Sequence, residues 1–264
     1  MLLMIVKKAL LMSAFFIACH PAQAERCPEP AATQRVTVSH VFDGDTVALK
    51  DGRRVRLIGI NTPEVGRQGQ PDQPYAVKAR QRLQQLVRQG VLLQYGYDRK
   101  DRYGRVLANL YRPDGRSVVE ILLREGLGFM VAIPPNLRLH SCLLAAEQDA
   151  RTAVRGVWDS RLARPVAAAA LRRGGYQRVS GQVSGLSKGS KGWFLVLDGQ
   201  LTIRLSPELA SSLSDKWRQR LSRGRKIVVS GWIIDRNHRK SSSSRSGKRW
   251  FLNLSHPSQL ELQP

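Results

Sequence analysis

The chain has 264 residues, with 43 Lys and Arg against 20 Asp and Glu, and a formal net charge of +23 at pH 7. A hydrophobic share of 42% is enough to bury a core and excludes a disordered polycation. The composition also excludes a membrane channel, a collagen-like or coiled-coil rod and a disulfide-dense miniprotein, since there are 3 Cys. The charge predicts a polyanionic partner, either nucleic acid or an anionic membrane surface.

The N-terminal segment, residues 1–24, predicts a secretory signal peptide. Two lysines precede an apolar stretch at 9–19, and small residues at 22–24 form a cleavage site. The stretch is shorter than the roughly 20 residues that span a bilayer. The mature protein is therefore expected to be secreted or periplasmic without a transmembrane segment. A membrane anchor and lipid attachment at Cys19 are the alternatives.

Processing leaves two cysteines in the mature chain, Cys27 and Cys142. In an oxidising compartment they can pair and tie the N-terminus to a later helix. Two free buried thiols are the other interpretation, and the sequence alone does not choose between them.

The positive charge is unevenly distributed and favours two domains. Residues 25–164 carry 23 basic and 15 acidic residues, whereas residues 165–264 carry 18 and 5. An Ala-rich and Gly-rich stretch at 161–175 is typical of a linker. We expect one domain over 25–160 and a second, more basic one over 176–264.

The first domain is predicted to be a barrel of strands with helices packed on it. Alternating apolar residues and turn-forming Asp-Gly pairs indicate strands, and apolar residues at helical spacing indicate helices. The expected strands fall within Arg35 to Ile60, Leu92 to Tyr97 and Arg105 to Tyr111, and the expected helices within Pro74 to Gly90, Ser117 to Glu125 and Leu139 to Arg155. This order favours a five-stranded OB-type barrel in a mainly β fold with some helix.

Three charged clusters follow the strands of this domain: Asp43-Gly44-Asp45-Thr46, then Arg56 with Asn61-Thr62-Pro63-Glu64, then Asp101-Arg102-Tyr103-Gly104-Arg105. Two further motifs follow, the helix end at 125–127 and Gly-Val-Trp at 156–158. In order and spacing, these motifs and the three clusters resemble the thermonuclease family, which has the staphylococcal-nuclease-like fold. The resemblance covers about residues 36–158. Any one of these motifs alone is unspecific, because Asp-Gly-Asp is common in turns.

The resemblance implies hydrolysis of phosphodiester bonds in DNA or RNA. It implies that Arg56, Glu64 and Arg105 are catalytic: Glu64 would orient or deprotonate the attacking water, and the arginines would hold phosphate oxygens. Calcium prefers oxygen ligands, which Asp45, Asn61 and the Thr62 carbonyl would provide, with Asp43 as an outer or alternative ligand.

This chain departs from the family pattern at two places. Asn61 stands where the archetype has an aspartate, so we expect weaker calcium binding or another preferred divalent cation. The segment 129–135 lacks the tyrosines that hold a nucleotide in the archetype. Arg102 and Tyr103 remain candidates for contacts with phosphate or base, and packing is the alternative for Tyr103.

The second domain is predicted to be an OB-like barrel that grips nucleic acid. Its expected strands fall within Val179 to Leu186, Trp193 to Asp198, Leu201 to Leu205, Ile227 to Asp235 and Arg249 to Leu254, with a helix over Pro207 to Leu221. A basic, Ser-rich loop at 238–248 would close over the bound nucleic-acid strand. Trp193, Trp232 and Trp250 are candidates for stacking on bases, and a structural or protein-docking module is the alternative.

The sequence therefore predicts a metal-dependent nuclease with an appended basic barrel. One alternative is a nucleic-acid-binding protein that keeps the barrel but catalyses weakly because of Asn61. Another is a basic envelope protein bound to anionic surfaces. Arg56, Glu64 and Arg105 together favour the enzyme, since a binder has no need of a carboxylate beside a phosphate.

Overall fold

The computed structural model describes residues 26–66, 68–214, 219, 221–239 and 249–263. The predicted signal peptide with Cys19 lies outside these residues, as does 240–248 of the predicted basic loop. Within the described ranges, every helix is too short or too polar to cross a bilayer.

The first barrel is a curled sheet whose strands run in the order β2-β3-β4-β7-β6-β1. Only Thr37 separates β1 from β2 in the chain, so the sheet returns on itself. The pairing of β4 with β7 is parallel, and the other pairings in the sheet are antiparallel. The strands are β1 Gln34–Val36, β2 Val38–Val41, β3 Thr46–Leu49, β4 Arg54–Leu57, β6 Val91–Lys100 and β7 Val106–Tyr111.

Three helices and a small two-stranded sheet pack on this barrel. The helices are α1 Ala76–Val87, α2 Val118–Arg124 and α3 His140–Thr152, and β5 Ile60–Asn61 pairs with β8 Phe129–Met130. Helix α1 buries one apolar face that includes Ala79 and Leu83. Helix α2 begins at Ser117, whose hydroxyl accepts a hydrogen bond from the Glu120 N–H, as an N-cap does.

The N-terminus is tied to helix α3 by a disulfide between Cys27 and Cys142. Both cysteines are buried in the core of the first barrel. The Cys27 N–H also donates a hydrogen bond to the Glu120 carboxylate at 3.0 Å. Of the two interpretations open from the sequence, the paired one is therefore correct.

The second barrel is closed, with the order β10-β11-β12-β14-β13 and a return pairing of β13 with β10. The β12 and β14 strands are parallel. Its strands are β10 Gly175–Gly189, β11 Gly192–Leu197, β12 Leu201–Leu205, β13 Lys226–Asp235 and β14 Trp250–Leu254, with β9 Val166–Ala167 and β15 Leu260–Leu262 at the sheet edges. This is the order of an OB barrel, so the predicted fold class is confirmed for both parts of the chain.

The predicted helix and linker of the second part differ from what is observed. Helix α4 spans Pro207–Ser212, and much of the remaining predicted helix lies outside the described residues. Within the expected linker 161–175, Ala168 and Leu171 are buried in the core of the second barrel, and β9 pairs with β10. The Ala-rich composition signalled a loop, but small apolar side chains also suit a tightly packed strand edge.

The two barrels are in direct contact. The Phe129 ring of β8 stacks on the Tyr176 ring of β10, with centroids 5.5 Å apart. Glu261 of β15 accepts hydrogen bonds from Arg151 of α3 at 2.8 and 3.0 Å, and also pairs with Arg178 at 2.9 Å. This contact therefore combines a stacked aromatic pair with a three-residue ion network.

Candidate active site

The centre of the site is the turn between β2 and β3, which places two carboxylates in the protein interior. Asp43 is 8% exposed and Asp45 is 5% exposed. The Asp45 N–H donates to Asp43 Oδ1 at 3.0 Å, a local contact that Asp makes readily in turns. The turn thus fixes the spacing of the two acids before any tertiary contact is made.

Gly44 allows the segment after β5 to approach this turn. A Cβ atom at Gly44 would lie 2.7 Å from both Ala79 Cβ and Thr62 Cγ2, closer than real contacts allow. The Thr62 N–H donates to Asp45 Oδ2 at 3.0 Å. Thr62 is therefore held against Asp45, and Asn61, buried at 8% exposure, immediately precedes it.

Arg56 of β4 is held on the other side of Asp45. Its Nη2 lies 3.0 Å from Asp45 Oδ2, and its Nη1 donates to the carbonyls of Leu57 and Ile60 at 2.7 and 2.8 Å. A guanidinium has five N–H donors, and these contacts use three of them. Arg56 thus joins β4, β5 and the acidic turn into one unit.

The acidic turn has less positive charge nearby than its carboxylates require. Burial, together with the neighbouring negative charges of Asp45 and Glu64, raises the pKa of Asp43 to about 7. Glu64 is exposed, and its backbone is fixed to Gln73 by hydrogen bonds in both directions. The effect of Glu64 on Asp43 shows that both belong to one electrostatic cluster.

These residues suit a hard divalent cation. The donors are carboxylate, amide and hydroxyl oxygens, which Ca²⁺ prefers. Within the described ranges, Thr62 Oγ1 is buried and has no hydrogen-bond partner. In the described ranges, no three His, Cys, Asp or Glu side chains are grouped so as to hold a metal ion, so a cation here would also need the oxygens of Asn61 and Thr62.

Arg105 lies at the start of the strand next to Arg56. It directly precedes β7, in which Leu107 is the register partner of Arg56. Because side chains alternate along a strand, Arg105 belongs to the same face as Leu107. Its Nε donates to Asp101 at 2.7 Å. The fold therefore brings the two predicted catalytic arginines to neighbouring strands, with Arg105 paired to Asp101.

Tyr103 and Arg102 lie beside Arg105 at the surface. Tyr103 is 68% exposed, and its hydroxyl accepts a hydrogen bond from Arg102 at 2.7 Å. The guanidinium carbons of Arg102 and Arg105 are 4.8 and 5.4 Å from its ring centroid. The alternative packing role for Tyr103 does not fit this exposure.

Of the three tryptophans predicted to stack on bases, one is buried and the other two are partly exposed. Trp250 is 4% exposed within the barrel core, and Trp193 is partly buried against the same core. Trp232 is 38% exposed but its ring contacts Tyr176 edge-on at 5.2 Å. The stacking prediction is wrong for Trp250, because a core side chain has no ring face open to a base.

Two residues near the site carried no signal in the sequence analysis. Glu147 of α3 accepts a hydrogen bond from the Met130 N–H at 2.6 Å, and burial raises its pKa to about 7. Tyr176 contacts Phe129, the register partner of Asn61. Both matter through contacts distant in sequence, which periodicity and spacing do not reveal.

Comparison with known proteins agrees with this geometry. The family model described as staphylococcal nuclease homologue matches residues 54–160. This range contains Arg56, Asn61, Thr62, Glu64 and Arg105, whereas the acidic turn precedes it and the second barrel follows it. The chain belongs to the staphylococcal nuclease homologue family.

Individual relatives support the same conclusion. The chain is 37% identical to a thermonuclease of Staphylococcus intermedius over 126 residues, 46% of this chain and 74% of the relative. It is 34% identical to a thermonuclease of Staphylococcus hyicus over 135 residues, 49% of this chain and 79% of the relative. Endonuclease YncB of Bacillus subtilis is 36% identical over 130 residues, 47% of this chain and 61% of that protein.

Proposed function

We propose that this protein is a metal-dependent nuclease that hydrolyses phosphodiester bonds in DNA, RNA or both, and that it cuts within the strand. The observation that carries the proposal is the buried pair Asp43 and Asp45. Arg56 forms an ion pair with Asp45, and the charge of Glu64 acts on Asp43. The names of the relatives, thermonuclease and endonuclease, support the same reaction class.

Glu64 is the proposed general base. It is exposed at the mouth of the acidic cluster, where a water molecule and a phosphodiester can reach it. The hydrogen bonds between its backbone and Gln73 hold this segment in place. A positioned carboxylate of this kind contributes about 10² to 10⁴ in rate.

Arg56 and Arg105 are proposed to bind the phosphate as its negative charge develops. Arg56 has two N–H donors beyond the three used on Asp45, Leu57 and Ile60. Arg105 lies just before β7, the strand beside Arg56. Its guanidinium is held by Asp101 and packs on the Tyr103 ring. Arg102 and Tyr103 extend this cationic surface for the flanking nucleotides.

Calcium is the proposed cofactor, held by Asp45, Asn61 and Thr62, with Asp43 nearby. When bound, the ion would neutralise charge on the phosphate and help to orient the attacking water. Because Asn61 is neutral, this oxygen set carries one negative charge less than an aspartate would give. Another divalent cation is therefore an acceptable substitute.

The second barrel is proposed to hold the nucleic acid mainly through charge. The range 165–264 has 18 basic residues against 5 acidic ones. Lys188 and Lys191 are exposed at the turn between β10 and β11. Trp193 and Trp232 keep only partial surface for contact, so backbone phosphates are the expected target.

We further propose that the protein acts outside the cytoplasm, secreted or periplasmic, after removal of residues 1–24. The predicted cleavage site and the Cys27–Cys142 disulfide support an oxidising compartment. Removal of residues 1–24 sets the start of the proposed nuclease domain, 25–160. The proposed basic domain, 176–264, extends back to Ala168 and Leu171, which lie in its core.

A binding protein with little catalysis is the second candidate, and Asn61 is the observation that favours it. Both candidates bind nucleic acid, so cleavage has to be measured. The purified mature chain is incubated with single- and double-stranded DNA and RNA in calcium, magnesium or chelator. Glu64→Gln and Arg105→Ala are compared with the control variants Glu29→Gln and Arg116→Ala, which change exposed charges elsewhere on the first barrel.

The proposal predicts cleavage by the wild type that chelation abolishes. It predicts a loss of about 100-fold or more for Glu64→Gln and Arg105→Ala, with near wild-type rates for the two controls. Metal-independent cleavage, or equal rates in all variants, would show that the site is elsewhere. Binding without cleavage in any metal would support the second candidate.

A further inference from the structure

The segment that carries Asn61 and Thr62 is held by a short strand pairing as well as by its hydrogen bonds to Arg56 and Asp45. In the β5–β8 sheet, Ile60 pairs with Met130 and Asn61 pairs with Phe129. The two strands also approach closely, since a Cβ atom at Gly128 would lie 2.9 Å from the Asn61 carbonyl oxygen. The position of β8 therefore contributes, together with those hydrogen bonds, to the position of the Asn61 backbone.

The second barrel contacts β8 at the same residue that pairs with Asn61. The Phe129 ring lies between two aromatic neighbours, Trp158 at 5.3 Å edge-on and Tyr176 at 5.5 Å stacked. Tyr176 belongs to β10, and Trp232 of β13 contacts its ring at 5.2 Å. A continuous aromatic row thus runs from the second barrel to the strand beside Asn61.

The ion network between the barrels holds the helix that also binds β8. Glu147 of α3 accepts a hydrogen bond from the Met130 N–H. One turn further on, Arg151 pairs with Glu261 of the second barrel. Both residues of β8 are therefore fixed, Phe129 directly by the second barrel and Met130 through α3.

We infer that the second barrel is a positioning element for the cation site, acting through the stacking of Tyr176 on Phe129 and the pairing of Phe129 with Asn61. This inference rests on the proposed function, because it requires that Asn61 and Thr62 hold the cation. The role of the second barrel then exceeds nucleic-acid binding. Tyr176 does not touch the substrate or the cation, and it acts by restricting the position of β5.

Restriction of this kind matters most when the ligand set is weakly charged. A site with a neutral amide in place of a carboxylate gains less from charge, so its affinity depends more on oxygens that are already in position. Outer residues that orient metal ligands typically change metal affinity by about 10- to 100-fold when they are replaced. A similar dependence is expected here.

The test is calcium binding by the full mature chain, measured by isothermal titration calorimetry with CaCl₂ alone. Tyr176→Ala is expected to weaken calcium binding about 10-fold. Tyr176→Phe keeps the stacked ring and should bind calcium as the wild type does. If circular dichroism shows that Tyr176→Ala does not fold, calcium binding is measured on Tyr176→Leu instead, which keeps a large apolar side chain but loses the stacked ring.

Phe251→Ala is the matched control. It also removes a buried ring from the second barrel, but that ring is covered by Arg236 of the same barrel at 3.8 Å. It should leave the calcium affinity within about twofold of wild type. The double variant Phe129→Ala/Tyr176→Ala should weaken binding no more than Phe129→Ala alone, because without the Phe129 ring the Tyr176 ring has already lost its stacking partner.

Three results would overturn the inference: equal calcium affinity in wild type and Tyr176→Ala, the same loss in Phe251→Ala, or additive losses in the double variant. A wild type that binds no calcium would overturn the proposed cofactor as well. A wild type that binds calcium but cleaves nothing would remove the proposed function while leaving the positioning role supported by the affinities.

Discussion

The two barrels have the same strand order but differ in what their turns and strand ends carry. In the first barrel β4 and β7 are parallel, as are β12 and β14 in the second, and in each a helix lies in the connection after the first strand of that pair. The first barrel buries Asp43, Asp45 and Thr62 at one end. Buried polar residues of the second barrel include Arg178, Ser230 and Gln259, which serve the interface and internal hydrogen bonds. A shared topology therefore says little about chemistry, which depends on the residues placed on it.

The barrels also differ in how they are stabilised and charged. The first has a disulfide that joins residues 115 apart in sequence, and a balanced set of ion pairs around its acids. The second carries most of the excess positive charge in its sequence range. This contrast fits the proposed roles, in which the first barrel carries out the reaction and the second binds the nucleic acid and supports β8.

The largest expected effect comes from the acidic turn. Asp45→Ala should reduce cleavage at least about 1,000-fold, because it removes a cation ligand and the partner of Arg56. It should also lower the free energy of unfolding by about 3 kcal/mol, since Arg56 is left buried without its carboxylate. Rates and urea titrations measure both, with Asp51→Ala, at an exposed turn, as the control. An active Asp45→Ala protein would contradict the assignment to the first barrel.

The disulfide should give the next largest effect, confined to the first barrel. Cys142→Ser is expected to lower the free energy of unfolding by about 2 to 5 kcal/mol. Wild type in reducing agent should show a similar loss in chemical denaturation. If the variant unfolds at the wild-type denaturant concentration, the bond does not stabilise the fold and the contrast between the barrels is weaker.

The interface should give a pH-dependent stability. Burial raises the pKa of Glu147 from 4.5 to about 7, while Arg178 and Arg151 act to lower it and Glu261 to raise it. Below about pH 4.5 the folded and unfolded forms are both protonated, and the stabilisation is complete. Between pH 4.5 and 7 the folded form alone retains the proton, so stability falls as the pH rises. The loss should be about 1 to 2 kcal/mol after allowance for partial exposure.

Glu147→Gln is the comparison that isolates this effect, because glutamine does not titrate and its oxygen can still accept from Met130. Urea titrations from pH 4.5 to 8 should give a wild-type stability that declines relative to the variant up to about pH 7 and then stays level. Parallel curves for the two proteins would show that Glu147 keeps its ordinary pKa.

The smallest expected effect concerns the charge of the second barrel. Replacing Lys188 and Lys191 with alanine should weaken nucleic-acid binding and reduce the slope of log Kd against log salt by about 1 to 2. Fluorescence anisotropy from 50 to 300 mM NaCl measures the slope, with Arg116→Ala on the first barrel as the control. An unchanged slope would remove these lysines from the binding surface.

Features governed by local sequence could be predicted well. The acidic turn and the cap at Ser117 follow from residue types within a few positions of one another, and the structure contains both. The OB-type barrels were inferred from the order of elements along the chain, and the strand pairings agree. The cysteine pairing could only be left open, because two thiols 115 residues apart meet only when the whole fold forms.

The stacking prediction for Trp250 failed for a related reason. Alternation along β14 places Trp250 and Phe251 on opposite faces. Trp250 fills the barrel core, and Arg236 covers Phe251 on the other face. Likewise, the stacking of Tyr176 on Phe129 depends on how two separate cores pack, and no periodicity in either segment encodes it.

The central claim is that the first barrel performs the reaction while the second binds the nucleic acid. Single-turnover cleavage with enzyme in excess tests this claim most directly. Glu64→Gln should lower the cleavage rate at saturating enzyme at least about 100-fold with unchanged Kd for the nucleic acid. The Lys188→Ala/Lys191→Ala variant should raise Kd with an unchanged saturating rate. The opposite pattern, with Glu64 affecting only Kd and the lysines affecting only the rate, would contradict the account.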